Sequence, residues 1–184
     1  GGTVSPFNIV TNVPKARITG AEVELVVVPA KGLKITSSLG LTNARYVELP
    51  TDARFIAANL INLNSQFPNT PKAAFTFGAL YTTRMKDDID VTARIDYAYK
   101  KAIYYDAPNS SLMRQEPYGL VNARLIFDFE RINTTLSLYA INLTDKRFIV
   151  GGYNDAVVPN PGFGFAYVLM GPPREIGLTA QIRF

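Results

Sequence analysis

Glu175-Ile176-Gly177-Leu178-Thr179-Ala180-Gln181-Ile182-Arg183-Phe184 alternates without a break to the last residue. Ile176, Leu178, Ala180, Ile182 and Phe184 share one face; Glu175, Gly177, Thr179, Gln181 and Arg183 share the other. A period of two marks a β-strand with one apolar and one polar side. Terminal residues of soluble domains usually fray, so an apolar strand reaching a bare carboxylate calls for a reason. A stave of a closed membrane barrel supplies one, because its outer face meets lipid.

The bulk composition agrees with that class. The chain has 184 residues, is 47% hydrophobic and has a mean hydropathy of +0.06. The longest apolar candidates, Leu25 to Pro29 and Phe163 to Met170, fall far short of the ~20 residues of a spanning helix. Barrels evade hydropathy in this way, since every second residue faces a polar lumen. Cysteine and histidine are both absent. That removes disulfides, thiolate metal sites, Ser-His and Cys-His pairs, and the commonest metal ligand. The net charge is +4, but basic residues mix with acids and no basic run exceeds Lys100-Lys101. A nucleic-acid partner is not expected from that pattern, and neither cofactor nor metal is expected.

Working outward from the last strand, seven alternating segments are predicted, preceded by the end of another at Thr3 to Val10. They run from Lys15 to Val28, Leu33 to Tyr46, about Ala73 to Tyr81, Ile89 to Lys100, Val121 to Phe129, Asn133 to Ile149, and the closing stretch. The parity of the sixth is muddled at Ile141 to Leu143, which reads as a bulge. Pro29-Ala30-Lys31-Gly32, Lys86-Asp87-Asp88 and Glu130-Arg131-Ile132 are tight turns. Between them lie long connections at about Glu48 to Asn69, Asp106 to Pro117 and Gly151 to Gly171.

Short and long connections thus alternate, as in an up-and-down membrane barrel with tight inner turns and long outer loops. Strands of roughly thirteen or more residues exceed the ~9–11 that cross a bilayer. The predicted fold is all-β: an antiparallel up-and-down transmembrane barrel, here an incomplete set of about seven to eight strands. A soluble β-sandwich also alternates, but with shorter strands and without the two-ended asymmetry.

Four strings, in order, carry a resemblance to the C-terminal part of TonB-dependent outer-membrane receptors. Gly20-Ala21-Glu22-Val23-Glu24 resembles that family's Gly-x-Glu strand entry, and Asn69-Thr70-Pro71 its Asn-x-Pro after an outer loop. Asn142-Leu143-Thr144-Asp145-Lys146 resembles the string of its penultimate strand. Gly171-Pro172-Pro173-Arg174 resembles the start of its last strand, which here ends in Arg183-Phe184. The resemblance implies a barrel of ~22 strands with a plugged lumen. It also implies active uptake of a scarce nutrient (an iron-siderophore, cobalamin or a glycan-like ligand) across the bacterial outer membrane. The implied partners are the receptor's own plug and remaining strands, the TonB–ExbB–ExbD complex, the barrel-assembly machinery and outer-membrane lipid. Seven or eight staves cannot close alone, so residues 1–184 are expected to be the C-terminal segment of a longer receptor, a fragment without plug or N-terminal strands.

Candidate residues follow from the alternation and the resemblance together. Glu22, Glu24, Lys34, Arg94, Asp96, Arg124, Asp128 and Arg183 fall on polar faces and are expected to form a lumen wall facing the plug. Arg45, Tyr46, Arg54, Phe55, Arg114, Arg147, Tyr153 and Asn154 border the outer loops and are candidates for ligand contact, since aromatics and Arg suit flat or charged ligands. Tyr104 and Tyr105 read better as interfacial girdle residues. Phe184 resembles the family's assembly signal. The acids Asp87, Asp88 and Asp90 lack EF-hand spacing and read as a solvated turn. Asn109, Asn133 and Asn142 head Asn-x-Ser/Thr strings of no expected consequence in a bacterium. Two rivals remain: an outer-membrane barrel with a structural or adhesive role, and a β-enzyme working through an Asp/Glu pair. No catalytic residue is assigned.

Overall fold

A computed structural model describes residues 15–51, 61–86, 88–154 and 164–184. Among the described residues eleven strands occur in chain order: β1 Lys15–Ala30, β2 Leu33–Glu48, β3 Ala73–Lys86, β4 Ile89–Lys100, β5 Ile103–Tyr104, β6 Arg114–Gln115, β7 Tyr118–Phe129, β8 Thr134–Ile141, β9 Ile149–Asn154, β10 Ala166–Met170 and β11 Glu175–Ile182. Seven of them form one sheet in the order β1-β2-β3-β4-β7-β8-β11, every neighbouring pair antiparallel. This is an up-and-down meander, an incomplete barrel wall. β5 with β6 and β9 with β10 make two small ladders inside the long connections.

The alternation read from sequence survives as two faces. Val23, Leu39, Phe75 and Tyr99 lie side by side on one face, and Lys34, Leu80, Arg94, Arg124 and Tyr139 on the other. The apolar face is open: Ile176 is 72% exposed and Val23 63%. Such a surface is expected to be covered by lipid rather than by water.

Register gives the slope of the wall. Ile176, Ala140, Ala123, Ile95, Ala79, Ile35 and Val27 form one row across all seven strands. On β11 this row is the upper limit of the apolar stretch Ile176 to Ile182; on β1 it is the lower limit of Val27 to Ala21. The apolar band therefore climbs six residues in six strand-to-strand steps. One residue of ~3.4 Å per ~4.8 Å step is a slope of about 35°, the tilt of transmembrane barrels. Along β4 the band from Ile89 to Tyr99 spans about 34 Å, or about 28 Å measured across the tilt, close to the ~25 Å apolar band of such barrels.

Several boundaries differ from the sequence reading. β1, β2 and β3 have 16, 16 and 14 residues, but β4 and β7 have 12 and β8 and β11 only 8. β7 starts at Tyr118, not Val121. The sixth segment does not run through a bulge to Ile149: β8 stops at Ile141, because Asn142 and Asp145 take left-handed φ of 49° and 51°. The connection from Gly151 to Gly171 holds the β9–β10 hairpin instead of being plain loop. β11 ends at Ile182, although the Arg183 amide still donates to the Asn133 carbonyl at 2.9 Å. Thr3 to Val10 lies outside the described residues.

Candidate functional site

The polar face is a set of lateral rows. Arg84, Asp90, Asp128, Thr135 and Gln181 lie in register, as do Glu22, Gly40, Ala74, Lys100 and Tyr118. Two of the rows set like charges directly opposite one another, Arg94 against Arg124 and Asp90 against Asp128. Such pairs repel, and each is relieved sideways. Arg94 makes a two-pronged contact with Asp96 at 2.7 and 2.9 Å, and the Arg124 guanidinium lies over the Tyr139 ring at 5.8 Å. Asp90 receives two hydrogen bonds from Arg84, which also pairs with Glu130; Asp128 accepts one from the Thr135 hydroxyl at 3.0 Å. All eight residues predicted for the lumen wall, Glu22, Glu24, Lys34, Arg94, Asp96, Arg124, Asp128 and Arg183, have the parity of this face.

The true packing core sits at the long-connection end. Among the described residues the buried apolar side chains are Tyr46, Ile103, Met113, Tyr118 and Phe148. Phe148 stacks on Tyr118 at 4.9 Å and Tyr46 meets Phe67 at 4.2 Å between centroids. Polar latches join the connections. Asn109 accepts from the Gln66 amide and donates back to the Gln66 carbonyl. The Tyr105 hydroxyl donates to the Ile149 carbonyl at 2.7 Å, and the Ile149 amide donates to the Gln115 side chain. Asn154 donates to the Ser110 hydroxyl, which in turn donates to Asp106. Burial raises the Tyr105 phenol above its usual range, with a smaller contribution from Tyr118.

Asn142 is the tightest knot. It is 2% exposed. Its side-chain amide donates to the carbonyls of Lys146 and Pro172, and its side-chain oxygen accepts from the Lys146 amide. Its own backbone amide donates to the Asn122 side chain, while the Leu143 amide donates to the Val121 carbonyl. The string Asn142 to Lys146 thus fastens β7, β8 and the start of β11 together.

The predicted loop residues separate into different settings. Arg45 lies on the apolar-side face of β2, opposite Arg17 of β1, whereas its neighbour Tyr46 is buried on the other face. Arg114 pairs with Glu116 and lies over the Tyr104 ring at 6.0 Å. Arg147 is exposed in the stretch between β8 and β9. Tyr153 is exposed and packs with Phe165 and Tyr167 at 5.9 and 6.2 Å, and Asn154 is a latch. Arg54 and Phe55 lie outside the described residues. Phe184 is fully exposed beyond β11.

Sequence reasoning passed over Gln115, Phe165 and Tyr167; it named Asn109 only as the head of an Asn-x-Ser string, and Asn142 only for such a string and for a resemblance. One signal was present. Asn69, Asn109, Asn133 and Asn142 all have positive φ, and Asn at the end of an alternating run is the residue that tolerates that backbone.

The family described as TonB dependent receptor-like, beta-barrel matches residues 1–143. The chain belongs to this family. Similar solved structures include the ferric yersiniabactin uptake receptor FyuA from Yersinia pestis, at 18% identity and a TM-score of 0.73, covering 92% of this chain and 24% of that one. The ferric-catecholate import receptor Fiu from E. coli K12, closed form, has 20% identity and a TM-score of 0.65, with 92% and 21% covered. The siderophore receptor PiuA from Acinetobacter baumannii has 20% identity and a TM-score of 0.63, with 90% and 21% covered. The chain spans about a quarter to a fifth of the length of these structures. In closed up-and-down membrane barrels generally, the polar side of such a wall faces the lumen and the longer connections lie at the outer end.

Proposed function

We propose that this chain supplies the C-terminal strands and outer loops of an outer-membrane, TonB-dependent importer whose cargo is an iron–siderophore complex. The observation that carries the reading is the wall itself: seven strands climbing at a barrel tilt, apolar outside and charged inside. Among the described residues β1 and β11 each have one edge with no ladder partner. Open backbone edges in lipid cost several kcal/mol per unpaired group, so further strands complete the barrel and residues 1–184 are one segment of it. Siderophore cargo is supported by the solved structures it resembles, which are named as a ferric yersiniabactin uptake receptor, a siderophore receptor and a ferric-catecholate import receptor.

In this reading the charged lumen rows hold a plug. Arg94, Asp96 and Arg124 present both signs within one patch, which suits a partner that must dock and later release. The outer loops capture ligand. Exposed Tyr153, Phe165 and Tyr167 offer ring faces, and exposed Arg147 in a neighbouring connection offers a cation. The inner-membrane TonB complex acts through the plug, and Phe184 marks the chain for barrel assembly.

The test is uptake of radiolabelled ferric siderophores by cells expressing the full receptor, with and without TonB. Energy-dependent uptake that vanishes without TonB is expected. Uptake of no ferric siderophore by a receptor correctly assembled in the outer membrane would refute the cargo, and a barrel with no plug would favour a structural or adhesive role.

A further inference from the structure

The Arg17–Arg45 pair is electrostatically misplaced for a wall that needs nothing outside it. The two residues are direct cross-strand partners on β1 and β2, and like charges so placed repel. Both are exposed. Among the described residues neither guanidinium lies within ion-pairing reach of a carboxylate; the nearby Lys15–Glu48 pair is separate. The lumen rows quench their like-charge pairs with Asp96, Tyr139, Arg84 and Thr135, and among the described residues this outer row has no such neighbour.

Their face and height say what meets them. Arg17 and Arg45 share the parity of Ala21, Val23, Leu39 and Leu41, so they stand on the apolar side of the wall and not in the lumen. Each lies four residues beyond the last apolar row, Ala21 opposite Leu41. At the tilt derived above, four residues rise about 11 Å. The headgroup layer on each side of a bilayer is roughly 5–8 Å thick, and long cationic side chains reach back along apolar surface. Between the pair and the belt, Thr19 and Asn43 are polar cross-strand partners. With exposed Lys72 they edge a shallow hollow where β3 stops and β1 and β2 continue. The end concerned carries the long connections, the outer end in this family.

We propose that Arg17 and Arg45 form a site for the phosphate of an anionic outer-leaflet glycolipid. Two forked guanidiniums side by side match phosphate oxygens. The lipid's charge removes the repulsion between them, and its chains cover Ala21, Leu41 and the belt below. This rests on the outer-membrane reading. It moves Arg45 from the cargo site to the membrane contact.

The full receptor would be purified in non-ionic detergent and its retained glycolipid counted by native mass spectrometry. Arg17→Gln with Arg45→Gln should lower retention of the phosphorylated glycolipid about thirty-fold, taking each cation at the membrane surface as worth about five-fold. Lys31→Gln, at the opposite end of the wall, should leave it unchanged. Phosphatase-treated glycolipid should be retained equally weakly by both proteins, and inorganic phosphate should not displace the lipid. A folded, heat-modifiable barrel whose retention ignores the double substitution overturns this inference alone. Displacement by inorganic phosphate overturns it in favour of a free-anion site. A protein that never assembles in the outer membrane overturns the inference and the reading beneath it together.

Discussion

Replacing Asn142 with Ala should open the outer end of the wall. The substitution removes three side-chain hydrogen bonds, at 2.9, 3.0 and 3.1 Å. At about 1 kcal/mol each they contribute about 3 kcal/mol. Ala must also hold the left-handed φ of 49°, which costs roughly a further 1 kcal/mol. Local opening should then become about 4 kcal/mol easier, close to a thousand-fold in the opening constant. Asn142→Gly loses the same bonds but not the backbone preference, so it should cost about 3 kcal/mol, or roughly 150-fold. Hydrogen exchange at the Leu143, Asp145 and Gly171 amides, which donate to Val121, Asn142 and Phe148 carbonyls, reads this directly in the assembled receptor. Exchange in the Ala variant within three-fold of wild type, or a Gly variant no milder than the Ala one, would refute the account of Asn142 as a side-chain knot on a left-handed backbone.

Other outcomes are equally checkable. Gly171→Ala places a methyl group into the Phe148 ring; it should cost about 1–3 kcal/mol by overpacking and lower the temperature at which the folded band is lost on a gel, with Phe148→Leu restoring part of it. Tyr105 should ionise above the usual ~10 for tyrosine. Its raised value favours the protonated fold, so its contribution is complete below pH ~10 and lost as pH climbs through the folded-state value; Tyr105→Phe should abolish that alkaline loosening in an absorbance titration, at a cost of about 1 kcal/mol near neutrality. Deleting Phe184 from the full receptor should lower surface assembly without lowering synthesis, and unchanged barrel levels by surface labelling would remove its role as a signal. Asp96→Asn leaves Arg94 facing Arg124 without relief, so barrel stability should rise with added salt more steeply than in wild type.

Much of the wall was legible because its physics is local. β4 alternates closely, Ile89 to Tyr99 against Asp90 to Lys100 with Ala98 the one exception, since each residue on such a wall has a single side to satisfy. The polar-face parity of Arg94 and Asp96 follows from the same rule. The β9–β10 hairpin escaped because it obeys a different one. Gly152 backs onto Met113 while Tyr153 and Tyr167 form an exposed aromatic cluster with Phe165, so both faces accept apolar residues and the period of two dissolves. β8 was overextended because Asn142 ends it through contacts with Asn122 and Pro172, partners no local window contains. Arg45 and Tyr46 were grouped as loop neighbours, though adjacent strand residues occupy opposite sides by necessity.

The climb of one residue per strand makes the wall a screw thread. A thread joins itself only if its total slip brings inward residues against inward residues, which demands an even number. A lone stave adds an odd slip and turns its whole set of side chains inside out. A two-stave hairpin adds two residues and preserves the match. An antiparallel barrel therefore lengthens, shortens or exchanges parts most simply in hairpins, and the natural module within this chain is β3 with β4, or β7 with β8, together with the turn that joins them.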